Sequence, residues 1–128
     1  MNKIIKKIIE RIIVLAVEDY SGLWEVIWEI NSSFPELSKN DKLSKAKKAI
    51  KILKDAGWVA FYYCSEPYGE LTPIQARKID QIIENDLSWE PIHQVEGVRS
   101  IRITTTDKGE RAYQGGNFGD ALNLLTSL

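Results

Sequence analysis

Residues 101–115 read IRITTTDKGERAYQG. Ile101 and Ile103 alternate with Arg102 and Thr104, and with the residues before them this period of two predicts a strand over 98–105. Thr106 or Asp107 then offers a side-chain cap, and Asp107-x-x-Glu110 has capping-box spacing, so a terminal helix is predicted to start there. The stretch therefore closes a sheet and passes the chain to a helix. What pairs with it must lie upstream.

Ile4, Ile5, Ile8, Ile9, Ile12 and Ile13 recur as i, i+1, i+4, i+5, a helical stripe read as buried against its own domain. Glu18-Asp19-Tyr20-Ser21-Gly22 reads as a break, with Ser21 or Asp19 capping a second helix over 23–33. That helix carries Leu23, Ile27 and Ile30 on one side, with Phe34 just after it. Trp24 and Trp28 are expected to widen its apolar face, with Glu25 and Glu29 on the far flank. Pro35 ends it. A third helix over 41–56 places Leu43, Ala46, Ala49, Ile50 and Leu53 on one arc. Lys45, Lys47, Lys48, Lys51 and Lys54 occupy the rest, with Ile52 expected to be exposed among them. Gly57 is placed to end that helix in a left-handed cap. Residues 58–64, WVAFYYC, are strand-like, and Tyr62 and Tyr63 must point to opposite faces, leaving one ring off the core. Thr72-Pro73-Ile74-Gln75 is expected to cap a further helix running through Ile79, Ile82 and Ile83 to about residue 85, with loop over 86–97.

At 128 residues the chain is read as one domain, 1–128, long enough to bury its own core. A net charge of -1 excludes a globally basic protein, so any nucleic-acid affinity must come from a local patch. The single cysteine, Cys64, precludes an internal disulfide, and the longest apolar run, 12–17, is too short to span a membrane. A cytoplasmic location is expected. The chemical inventory is thin: Cys64 and the lone His93 come with no ligand spacing, and the glycine-rich 115–119 segment lacks the Lys-Ser/Thr of a phosphate loop. No catalytic, cofactor-binding or metal-ligating residue is assigned, no cofactor is expected, and the domain is read as non-enzymatic.

Two pieces carry a resemblance. Ala46-x-x-Ala49-Ile50-x-x-Leu53-x-x-x-Gly57-Trp58-Val59 looks like a recognition helix running through a glycine into the outgoing strand of a wing. Residues 103–113, with Thr106-x-Lys108-Gly109, are similar to the pattern by which such domains leave the wing and enter a terminal helix. The sequence thus resembles the winged helix-turn-helix superfamily. The resemblance implies an α+β, mostly α fold with a two- or three-stranded antiparallel sheet. It also implies a helical insertion, about 66–97, where such domains usually have a short hairpin tip.

Charge is polarised within the near-neutral total. Residues 39–54 hold seven lysines against one aspartate, 18–36 hold five acids and no base, and 66–96 hold seven acids against Arg77 and Lys78. Two readings of function follow. In the first the domain binds another protein, in the style of the immunity proteins that neutralise bacterial toxins. Glu25, Glu29, Glu66, Tyr68, Glu70, Asp80, Glu84 and Asp86 would then face a basic toxin or nuclease. In the second it is a DNA-binding regulator, with Lys45, Lys47, Lys48, Lys51, Arg99 and Arg102 on phosphates and dimerisation through the isoleucine helix or the Leu122, Leu124, Leu125 tail. The lysine helix lacks Arg, Asn and Gln after Asn40, the side chains suited to bidentate base reading.

Overall fold

The computed structural model describes residues 3–65, 69–91 and 99–126. In chain order it runs α1 (Lys3–Glu18), β1 (Ser21–Gly22), α2 (Leu23–Ser33), α3 (Lys39–Asp55), β2 (Val59–Ser65) and β3 (Glu70–Pro73). It continues with α4 (Ala76–Glu84), a 3₁₀ turn (Asp86–Trp89), β4 (Arg99–Thr105), α5 (Asp107–Gln114) and α6 (Phe118–Thr126). The fold is α+β and mostly helical, with one antiparallel sheet in the order β1-β4-β2-β3. Among the described residues no helix is long and apolar enough to cross a membrane.

Helix α1 is the axis of the molecule. Ile5, Ile8, Ile9, Ile12, Ile13 and Ala16 are all buried, and α1 touches α2, α3, β4, α5 and α6. Those isoleucines, the face expected to pair two copies in a DNA-reading role, are enclosed by their own chain. Ala46, Ala49, Ile50 and Leu53 bury the inward arc of α3 as its periodicity predicts. The cap of α3 is Ser38, whose hydroxyl accepts from the Asp41 N–H at 3.1 Å, so the helix starts two residues earlier than the lysine pattern suggests. Gly57, at φ +75°, ends the turn after it.

Among the described residues the sheet has four strands rather than two or three. Ser21–Gly22, read from sequence as a break with a cap, pairs instead with Ile103 and Arg102. The Ser21 hydroxyl donates to the Leu15 carbonyl at 3.1 Å, and α2 starts without a side-chain cap. Thr72 and Pro73, read as a capping box, also belong to a strand, opposite Tyr63 and Tyr62. Pro73 is tolerated because β3 is an edge strand. The Ile74 N–H carries the pairing onward by donating to the Phe61 carbonyl at 3.1 Å, so α4 begins only at Ala76. On the helix side of the sheet, Val59, Phe61 and Ile103 are buried and Tyr63 packs against the core, while Tyr62 takes the other face.

The opening stretch closes the core by a specific junction. Thr106 is the N-cap of α5: its hydroxyl accepts from the Gly109 N–H at 3.1 Å and donates to the Gly57 carbonyl at 2.6 Å. Its own N–H donates to the Trp58 carbonyl at 3.0 Å. A Cβ on Gly109 would lie 2.1 Å from that same Trp58 oxygen, closer than any side chain can approach. Gly109→Ala is therefore expected to destabilise the fold by about 1–3 kcal/mol through overpacking, and Thr106→Ala by about 1 kcal/mol through the lost cap. Gly119→Ala, in α6 with no atom within 4 Å of its Cβ position, should by contrast leave stability unchanged or raise it by up to about 1 kcal/mol in the same urea titration.

Candidate functional site

The lysine face of α3 and the acids of the segment after β3 meet. Lys47 and Lys54, two turns apart, lie on one side of α3, and both reach the α4 side of the molecule. The Lys54 ammonium holds Asp80 at 2.7 Å and Asp55 at 2.8 Å. The Lys47 ammonium donates to the Glu84 carbonyl at 2.9 Å and pairs with Asp86. Ile52, expected to be exposed, is partly buried against the core, as are Ile79 and Ile82 of α4, while Ile83 is fully buried. A helix carried back across α3 covers the side of α3 that the sequence leaves bare.

These contacts shift two ionisations. Hydrogen bonds to Asp55 and Asp80 raise Lys54 above the ordinary lysine value. The hydrogen bond from Lys54, helped by the charges of Lys54 and Lys51, lowers Asp80 below the ordinary carboxylate value. Both groups lie near the surface, so the pair is open to screening by salt.

The candidate residues therefore separate into groups with different fates. Asp80 and Asp86 are engaged by the chain's own lysines. Glu84 and Glu70 are exposed on α4 and at the start of β3, while Glu66, Tyr68 and His93 lie outside the described residues. Of the nucleic-acid candidates, Lys48 and Lys51 face solvent, Lys45 is half-buried and Lys47 is in its ion pair. Arg99 stacks over the Tyr63 ring at 4.1 Å, and Arg102 is drawn into the sheet's outer face. The lysines thus lie on α3 and the arginines on β4, where each arginine is set against an aromatic ring.

Glu25 and Glu29 belong to a second surface, and here the tryptophans depart from expectation. The buried arc of α2 is Leu23, Val26 and Ile30, with Ile27 half-buried, so Trp28 points nearly opposite the core and is 57% exposed. Val26 is the residue that turns the arc away from the tryptophans, and it marks that turn in the sequence. The Trp24 ring folds back over Gly22, where an added Cβ would lie 1.9 Å from it. The guanidinium of Arg102 lies 5.0 Å from the Trp24 ring centroid, 4.0 Å from Glu25, and donates to the Tyr20 carbonyl at 3.1 Å. Tyr20 meets Tyr62 edge-to-face at 5.3 Å. A ridge of Tyr20, Trp24, Trp28 and Tyr62 thus runs over the outer sheet face and α2.

A cleft of about 530 Å³ lies between α2, the start of α3 and the 3₁₀ turn, lined by Ile27, Asn31, Leu43 and Trp89 with Lys42 and Asp86 at its edge. Its lining also includes Lys39, Asn40 and Glu90, and among the described residues it holds no Ser, Thr, Cys or His. Among the described residues no group of three or more His, Cys, Asp or Glu side chains could hold a metal ion. No protein-family model, curated protein or solved structure matches this chain.

The Lys54–Asp80 contact sets a pH signature. A lowered carboxylate stabilises the fold above its unfolded pKa and loses that contribution as pH falls through its folded value. A raised ammonium contributes below its unfolded pKa and loses its share as pH rises through its folded value. Wild type should therefore exceed Asp80→Asn in urea midpoint at neutral pH. The gap should close below about pH 4 and again above about pH 10.4, and it should shrink at high salt. A pH-independent gap would mean that Asp80 acts through packing.

Proposed function

We propose that this domain is a winged-helix-like scaffold, non-enzymatic and adapted to bind another protein rather than DNA. One observation supports the choice: the side of α3 bearing Lys47 and Lys54 is engaged by the acids of α4 and the 3₁₀ turn. A recognition helix must offer a bare face to the major groove. Here α4, Asp80 and Asp86 stand beside that face, and their negative charge would oppose phosphate. Arg102, which a returning strand would lay on the DNA backbone, is held by Trp24, Glu25 and the Tyr20 carbonyl. The order of α3, Gly57, β2, β4 and the Thr106–Gly109 entry into α5 supports the winged-helix part of the reading.

A cytoplasmic protein that neutralises a basic toxin or nuclease fits this reading. Such a partner would be selected by charge, and association would be fast and sensitive to salt.

Polarisation titration with generic duplex DNA across a salt series separates the two functions. The protein-binding reading predicts no measurable binding even at low salt. A steep, salt-dependent affinity abolished by changing Lys47, Lys48 and Lys51 together to Glu would establish the regulator instead. Affinity capture from the native cells, with the captured protein then reconstituted at stoichiometric amounts, supplies the positive arm. Capture of no stoichiometric protein partner counts against the reading.

A further inference from the structure

Residues 24–29 read WEVIWE, a Trp-Glu pair repeated one helical turn apart. We propose that the second pair is a docking point for a basic protein segment, with an arginine side chain of the partner stacking on Trp28 between the carboxylates of Glu25 and Glu29. The proposal rests on the protein-binding reading above and names the surface and the chemistry it would use.

The fold itself demonstrates what the motif can hold. The first pair, Trp24 and Glu25, takes an arginine of its own chain: the Arg102 guanidinium lies over the Trp24 ring at 5.0 Å and beside Glu25 at 4.0 Å. That arrangement combines attraction to the ring face with attraction to a carboxylate, and arginine suits both because its planar cation is weakly hydrated. The second pair repeats the Trp-Glu spacing four residues on, at a position turned to solvent, where Trp28 is 57% exposed. Glu29 is touched by Arg11 only at 3.8 Å, between side chains that are 57% and 33% exposed, and accepts from the Ser33 hydroxyl at 3.3 Å. A surface pair of that length is weak, and an incoming guanidinium can displace it.

The charge around the ridge selects the occupant. Glu18, Asp19, Glu25, Glu29 and Glu36 are met by no base between residues 18 and 36, and among the described residues Arg11 and Arg102 reach in from other elements. That field attracts a basic segment and repels nucleic acid and anionic lipid. It also disfavours a second copy laid α2 against α2, which would oppose Glu25 and Glu29 with their own images. The aromatic neighbours Trp24, Tyr20 and Tyr62 supply the Trp, Tyr and Arg composition in which interface binding energy concentrates.

The test titrates a capped oligoarginine peptide into the full chain with ¹⁵N-labelled indoles, with oligolysine and oligoglutamate as comparisons. The Trp28 indole signal should move most and saturate, and oligolysine should bind more weakly. Trp28→Ala, which changes no charge, should weaken oligoarginine binding by about fivefold, and Glu25→Gln with Glu29→Gln by at least as much. Both variants alter exposed or half-buried side chains and should keep the wild-type circular dichroism spectrum. Unchanged oligoarginine affinity in Trp28→Ala would overturn the proposal. So would peptide-induced shifts centred on α4, or a dimer in sedimentation that Trp28→Ala disperses. These readouts need no native partner: a captured protein indifferent to Trp28→Ala sinks the surface and leaves the protein-binding reading, whereas failed capture sinks only the latter.

Discussion

The isoleucine stripe of α1 constrains everything around it. Isoleucines at i, i+1, i+4 and i+5 spread an apolar arc too wide for one neighbouring helix to cover. The chain must therefore wrap α1 from several sides, and it does so with α2 and α3, with β4, and with α5 and α6. Each wrapping element is in turn amphipathic toward α1, as the buried arc of α3 and the position of Ile103 in β4 illustrate. Short amphipathic helices such as α4 and α5 have little stability of their own and acquire it from this packing.

The signals that read correctly in sequence are those where burial and local propensity agree. The bounds of α2, the inward arc of α3, the left-handed Gly57 and the alternation of β2 and β4 follow from periods of 3.6 and 2. The failures lie where tertiary pairing overrides a local motif. Thr72-Pro73 has good capping chemistry, but an open edge beside β2 recruits it as strand. Ser21 has good capping chemistry too, yet its hydroxyl turns back to α1 once its backbone pairs with Ile103. At the last helix start the sequence leaves Thr106 and Asp107 both open as caps, and the structure uses Thr106, whose hydroxyl also donates to the Gly57 carbonyl. A contact 49 residues away in the chain accompanies that cap, and no local window contains it.

The same limit applies to the surfaces. The basic 39–54 and acidic 66–96 segments carry nearly opposite net charges, and their mutual attraction was legible as a possibility in those totals. Which acids are engaged depends on α4 returning across α3, a matter of topology. Asp80 and Asp86 are paired with α3 lysines at the surface by this return, while Glu25 and Glu29 remain with the tryptophans. The exposure of Trp28 follows from one residue, Val26, whose burial rotates α2 away from the face that two tryptophans would otherwise suggest.

The Thr106–Gly57 bond spans 49 residues of chain. It and the β2–β4 pairing together form the neck of a long loop whose interior holds β3, α4 and the 3₁₀ turn. Closing such a loop costs conformational entropy that grows only logarithmically with its length, about 0.6 kcal/mol for each doubling. Once the neck is formed, the exposed positions of the enclosed segment can change in number or charge at little cost, while Ile74, Ile83 and Trp89 stay held by the core that they share with α1. Within that loop the buried positions are fixed by packing and the exposed ones are not, and the acids that engage α3 are among the exposed.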